Sequence, residues 1–495
     1  MDFDHSSSNS SIEKPKKLHA ALLSSPGMGH LIPIIELGKR LVADHGFEVT
    51  VFVVPSQASL AEVEIIDSAM TPMILEVVEL PAPDLTAAGL GPNASMVTRL
   101  AAMMREARLA FRSALAVMEA RPDVLIVDLF GTEHLCIGDE LGIPKYVYIA
   151  TNAWFLALLL HSPTLDKEVN GEYVDQTEPF NIPGCKPVRP EDVVDPMLDR
   201  SDQQYREYLR MASEIPMGDG ILLNVWEDLQ VETLAALRNK EFLGPVANGP
   251  IYTIGPLIRP VRPAGLEKEL LEWLDKQPSE SVLFVSFGSG GTLSAEQLVE
   301  LAWGLELSRQ RFIWVLRKPA VKSLDGSFFN VGKGGGGDEL LSFLPDGFEV
   351  RTRNVGLVLP SWAPQVDILS HPSVGGFLSH CGWNSTLESM VSGVPMIAWP
   401  LYAEQRLNAT LLVEETGVAI RPKELPSKKI VRREEIEKLV RMIMVEQKGH
   451  TMRARVKELK TNVEKAVTKE GTSYESLRKM KDDCKTRIHQ IKKAH

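Results

Sequence analysis

The chain has 495 residues, enough for two large domains or more. Its 54 Lys and Arg against 65 Asp and Glu leave a net charge of −11, which excludes a basic footprint for nucleic acid. Apolar residues make up 44%, enough for a sizeable core, while the longest apolar stretch, around residues 153–160, is far short of the ~20 residues a membrane span needs. Four widely spaced cysteines (Cys136, Cys185, Cys381 and Cys484) form no metal-like pairing and suit free thiols in a reducing compartment. The start is acidic, then Ser-rich, with no apolar segment before Lys17, so a cytosolic protein without a secretory signal is expected.

In chain order, residues 1–16 read as a disordered tail. Residues 18–24 form an apolar, strand-like run that meets the glycine-rich turn Ser25-Pro26-Gly27-Met28-Gly29-His30. A helix follows, with Pro33 near its first turn and Ile34, Leu37 and Leu41 at helical spacing. Strands are expected at 48–54 and 74–78, then a long helix at 95–119 and a buried strand at 123–130. Further strands fall at 145–149 and 220–225, and the Pro-rich stretch 255–266 suits an interdomain linker. The pattern then restarts: a strand at 282–287, the turn Gly288-Ser289-Gly290-Gly291-Thr292, a helix at 294–306 and strands at 312–316, 356–359 and 375–378. Residues 318–344 read as a mobile surface loop. The charged end of the chain is helical.

Strands alternating with helices imply an α/β fold with parallel, doubly wound sheets, here twice over: domains at 17–254 and 267–470, joined by the linker. Such domains bind ligands beyond the carboxyl ends of their strands, and strand order 3-2-1-4 places the first and fourth strands side by side. That order brings the first strand's end, read at His30, near Asp128, and Ser289 near His380.

Residues 362–405 carry the densest chemistry. The strand 374–378 runs into Ser379-His380-Cys381-Gly382, and a helix is expected to start near Asn384-Ser385-Thr386, where Asn and Ser are favoured caps. The free N–H groups of a helix start make an anion site. His380 is placed to donate to a phosphate, Trp362 to stack on a base and Gln365 to pair with a base edge. Glu388 lies on the helix face of Asn384 and suits two ribose hydroxyls; Glu404 and Gln405 suit sugar hydroxyls.

In length and in its positions Trp362, Gln365, His380, Gly382, Trp383, Asn384, Ser385, Glu388 and Gln405, this stretch resembles the signature box of the plant family 1 UDP-dependent glycosyltransferases. It departs from that pattern at Glu404, where Asp is commoner; either carboxylate accepts from a sugar hydroxyl. The resemblance implies a GT-B fold, a last helix (471–495) crossing back to the first domain, and UDP-sugar contacts that also include Ser289, Ala363 and Tyr402. In that family a final Gln accompanies UDP-glucose, so Gln405 implies glucose. The runs 26–33 and 127–132 match the family's catalytic motifs, which implies His30 as base and Asp128 as its partner, inversion to a β-glucoside, and no metal or other cofactor. The implied partners are UDP-glucose and a small phenolic, to a monomeric enzyme without stable membrane insertion.

Across nearly its whole length the chain is most similar to plant enzymes that glucosylate phenylpropanoids, including coniferyl and sinapyl alcohol. The shared runs are SSPGMGHLIPIIELGKRL, IVDLFGT, SFGSGGTLSAEQL and MIAWPLYAEQ. Relatives also take hydroquinone and flavonoid-type acceptors. The acceptor pocket is expected from Gly29, Phe130, Glu133, Asn152, Trp154 and Phe155; Glu133 stands where relatives often have Asp.

Each residue has a bland counterpart: His30 as a loop histidine, Asp128 as a helix cap, Glu388 as a surface charge. The joint match in order across two domains outweighs them. A dinucleotide oxidoreductase is disfavoured, since the third glycine of its motif falls at Ile32 and the second strand's end, Val53-Val54-Pro55-Ser56, offers no acid for a ribose. A non-catalytic sugar-nucleotide binder predicts loss of His30 or Asp128, and both are present.

Overall fold

The computed structural model describes residues 17–56, 66, 75–85, 89–91, 94–261, 266–320 and 337–494. The expected tail 1–16, Ile74, part of the linker (262–265) and most of the 318–344 loop (321–336) lie outside the described residues.

β1 (His19–Ser24), β2 (Glu48–Val53), β3 (Glu76–Glu79), β4 (Val124–Asp128), β5 (Lys145–Ile149), β6 (Gly220–Leu223) and β7 (Ile251–Thr253) form one parallel sheet, ordered β3-β2-β1-β4-β5-β6-β7. A second parallel sheet contains β8 (Val282–Ser286), β9 (Arg311–Leu316), β10 (Gly356–Pro360), β11 (Val374–Ser379), β12 (Met396–Ala398) and β13 (Ala419–Ile420), ordered β10-β9-β8-β11-β12-β13. Every residue of β1, β4, β5, β8 and β11 is buried, as helices on both faces of a parallel sheet require.

Register then fixes the strand ends. Leu23 pairs with Val127 and Ser286 with Ser379, so the loops after β1 and β4 open side by side, as do those after β8 and β11. The helix Thr472–Ala494 packs back on the first sheet: Asp483 accepts from Tyr252 Oη at 2.6 Å, and Arg487 donates to Asp219 at 2.8 Å.

Two of the boundaries that move bear on the site. β1 ends at Ser24, so His30 is not on the strand end but in the first turn of the helix Met28–His45, after Gly27 turns the chain at φ 102°. Pro33 therefore sits deeper than the first turn. The second helix starts at Trp383 with Gly382 as its cap, not at Asn384. Gly is itself an acceptable N-cap.

Candidate active site

A cavity of about 620 Å³ opens where the two sheets present their strand ends to each other. On the first-sheet side stand His30 and Asp128. His30 Nδ1 lies 3.1 Å from Asp128 Oδ2, short of in-line hydrogen-bond alignment. Asp128 is fully buried, and its other oxygen caps the 3-10 turn Leu129–His134 by accepting from Phe130 N at 3.1 Å. Its two oxygens thus have different neighbours, Oδ1 the Phe130 N–H and Oδ2 the His30 ring. The Oδ2 atom also accepts from Ser25 N at 3.1 Å and from Ser25 Oγ. Phe130 meets the His30 ring edge-to-face at 5.3 Å.

On the other side, His380 is buried beneath two glycines. A Cβ on Gly382 would come within 2.5 Å of His380 Nε2, and one on Gly288 would meet the same ring. Burial, helped by the charge of Arg317, pushes the His380 imidazole down to about 4, so it is neutral near pH 7. Arg317 Nη1 clamps the turn after β8, donating to Gly288 O at 3.0 Å and to Ser289 O. Gln365 Nε2 donates to Glu388 (2.6 Å) and to Ser385 Oγ (2.8 Å). Burial raises the Glu388 carboxyl, partly offset by Gln365 and then Arg259.

Gln405 and Glu404, the residues expected at the sugar, are both hydrogen-bonded. Gln405 Oε1 accepts from the backbone N–H groups of Leu401 (2.9 Å) and Tyr402 (3.1 Å). That fixes the amide and leaves its NH₂ as the group on offer. Glu404, raised by burial, accepts from Asn408 Nδ2 at 3.2 Å and feels the charge of His30. Trp362 also lines the cavity and is 47% exposed, an open ring face.

Residues 197–444 match the family described as UDP-glucoronosyl and UDP-glucosyl transferase. An anthocyanidin 3-O-glucosyltransferase 5 of Manihot esculenta is 59% identical over 458 residues, 92% of this chain and 93% of that one. The chain belongs to the UDP-glycosyltransferase family. The UDP-glycosyltransferase 72E1 of Arabidopsis thaliana is 47% identical, over 97% of this chain and 99% of its own. Among solved structures, TcCGT1 in complex with UDP matches with a TM-score of 0.89 at 47% identity, covering 95% of this chain and all of that one. Phytolacca americana UGT2, complexed with UDP-2fluoro-glucose and pterostilbene, matches at 0.83 and 38% identity, covering 94% and 100%. The chain is thus a UDP-glycosyltransferase with a UDP-sugar donor. Among the described residues no group of three His, Cys, Asp or Glu is placed to hold a metal ion, and no helix is long and apolar enough to cross a membrane.

All thirteen residues expected around the UDP-sugar line the cavity, from Ser289 through Gln405, as do His30, Gly29, Phe130 and Phe155. Three expected acceptor residues do not. Asn152 caps the helix Ala153–Glu168, accepting from Phe155 N at 3.0 Å, and donates to Asn408 Oδ1 at 2.6 Å. Trp154 is buried with its Nε1 donating to Glu415 at 2.8 Å. Glu133 is drawn outward by Arg105 and Arg210. The first-domain wall of the cavity instead includes Leu100, Tyr208 and Met211, from helices 96–116 and 203–214.

Sequence reading missed Ser25, Arg317 and Arg259. Ser25 had a signal, its place directly after β1. Arg317 directly follows β9, the strand beside β8 in the second sheet. Arg259 comes from the linker and lines the nucleotide end, with no local signal.

Proposed function

We propose that this enzyme transfers glucose from UDP-glucose to a hydroxyl of a small plant phenolic, inverting the anomeric centre. The observation that carries the reading is the pairing of His30 with Asp128 at the junction of an apolar pocket and a sugar-nucleotide cleft. The acceptor hydroxyl gives its proton to His30 as its oxygen bonds to the anomeric carbon. The bond from that carbon to the diphosphate oxygen breaks, and UDP leaves from the opposite face. Asp128 orients the imidazole and stabilises the imidazolium. The helix start at Trp383, with Ser289 and His380, meets the charge growing on the leaving diphosphate.

Glucose is favoured by Glu404 and Gln405, a carboxylate and a pinned amide facing the sugar position. The acceptor is read as a phenylpropanoid alcohol such as coniferyl or sinapyl alcohol. Flat aromatic substrates fit walls built from Phe130, Phe155 and Tyr208. A flavonoid-type acceptor is the second reading, favoured by the relative named for anthocyanidins. The free, partly or fully buried cysteines suit a cytosolic setting.

The deciding experiment incubates the purified protein and UDP-glucose with coniferyl alcohol, sinapyl alcohol, hydroquinone, quercetin and an anthocyanidin, reading product mass. Preference for the monolignols supports the first reading. Preference for the flavonoids overturns the acceptor and keeps the reaction.

A further inference from the structure

The segment that carries Glu404 and Gln405 is not shaped by its own domain alone. Ala403 has φ 57°, a left-handed conformation that a residue with a Cβ rarely adopts. Its backbone is gripped from the other sheet's domain by Asp195. Ala403 N donates to Asp195 Oδ2 at 2.6 Å, and Asp195 N donates to Ala403 O at 3.0 Å. Asp195 Oδ1 pairs with Arg406, only 3% exposed, whose Nε donates to Val193 O at 3.1 Å. On either side of Asp195, Val194 and Pro196 line the acceptor side of the cavity. Asp195 itself does not line it.

We infer that Asp195 is a positioning residue for the sugar end of the donor site. It holds Ala403 in its left-handed turn, so that Glu404 and Gln405 face the cavity, and it ties that turn to the acceptor wall at Val194 and Pro196. The sugar grip and the acceptor wall are one bonded unit spanning both domains. Selection of the donor sugar therefore depends on a residue of the acceptor-binding half. The side-chain bonds of Asp195 run to Ala403 and Arg406, while Trp362, His380 and Glu388 come from other segments, so the uridine and diphosphate contacts should hold without it. The inference rests on the reading that Glu404 and Gln405 grip the sugar.

The test compares wild type with Asp195→Ala and Asp195→Asn. UDP affinity is read by calorimetry; kcat and KM are read for UDP-glucose and UDP-galactose with one fixed acceptor. In Asp195→Ala the wild-type ratio of the two donors' kcat/KM should collapse by roughly tenfold while UDP affinity stays within about twofold. Asp195→Asn, which keeps an oxygen for Ala403 N but loses the ion pair, should fall between, and it carries the test if the alanine variant does not fold. An unchanged donor ratio overturns the inference. Equal loss of UDP and UDP-glucose binding also overturns it, making Asp195 mere domain glue. Measuring the wild type first separates the two claims: a wild type that prefers UDP-galactose overturns the glucose reading, and the inference is then judged on the change in that preference.

Discussion

Nδ1 of His30 lies 3.1 Å from Oδ2 of Asp128, and that same oxygen accepts from the backbone and side chain of Ser25. One carboxylate thus faces His30, the proposed base, and fastens the turn after β1 that leads into the helix carrying it. Asp128→Asn should keep the cap on Phe130 but present an NH₂ group to His30 and to Ser25 N, so part of the stability goes with it. The turnover rate should fall by ~10² to 10⁴, the usual weight of a positioned proton-transfer group, with UDP affinity unchanged. Asp128→Ala should lose the same rate and also about 1–3 kcal/mol of stability, because it leaves buried donors on Ser25 and Phe130 unmet. Single-turnover kinetics and urea unfolding of both variants separate the two roles. A fully active Asp128→Asn contradicts the assignment.

A neutral, buried His380 gives the fold an acid weakness. Its imidazole is held down to about 4, against an ordinary value of 6.5. Below pH 6.5 the unfolded chain takes up a proton that the folded protein refuses. The contribution is complete above 6.5 and is lost as pH falls toward 4, to a total of up to about 3 kcal/mol. Burial depresses His134 to about 4 as well, in the same direction. Glu388 and Glu404, both raised by burial, act oppositely, since the folded state takes up their protons first. Unfolding free energy measured from pH 7 to 4 should therefore fall less steeply in His380→Asn than in wild type. Parallel curves would show that His380 is not the source.

Gly288→Ala should injure the donor site more than its one methyl group suggests. The residue has φ +71°, and its Cβ would enter the His380 ring. Left-handed backbone costs an alanine ~1–2 kcal/mol, before the clash. UDP affinity should drop by more than the loss in melting temperature accounts for, because the displaced ring is the one proposed to face the diphosphate. Calorimetry on UDP checks this; wild-type affinity would mean that His380 moves without consequence.

The sequence exposed this site unevenly, for a physical reason. Apolar runs end where strands end, and doubly wound order follows from strand alternation, so His30 and Asp128 were legible as neighbours although 98 positions apart. The nucleotide stretch was legible because its residues are close in sequence, on the helices and turns around β11 and β12. Side-chain direction was not. Asn152 is a favoured cap type directly before its helix, but nothing local says that Trp154 turns to Glu415 and Phe155 to the cavity, since adjacent helical positions face different ways. Cross-domain partners were hidden too. Asn384 Nδ2 donates to Gly29 O at 3.2 Å, the carbonyl that Pro33, lacking an N–H, leaves without its helical donor. That pairing needs both domains folded before it exists.

Phe155, Trp154 and Asn152 give the sharpest contrast. Phe155 lines the cavity and meets Tyr208 edge-to-face at 6.4 Å, so its ring is part of the acceptor wall. Phe155→Ala should raise the acceptor KM by about tenfold and shift the order of preferred acceptors, with little effect on UDP affinity. Asn152→Ala removes the cap on Phe155 N and the buried bond to Asn408, costing ~1–3 kcal/mol of stability. Trp154→Phe strands the Glu415 carboxylate, which the indole N–H had satisfied. Both should lower the melting temperature, because both bonds join the two domains, while acceptor preference stays that of wild type. Acceptor profiles and thermal melts on all three variants test this. A changed acceptor order in Asn152→Ala, at full stability, would return Asn152 to the pocket.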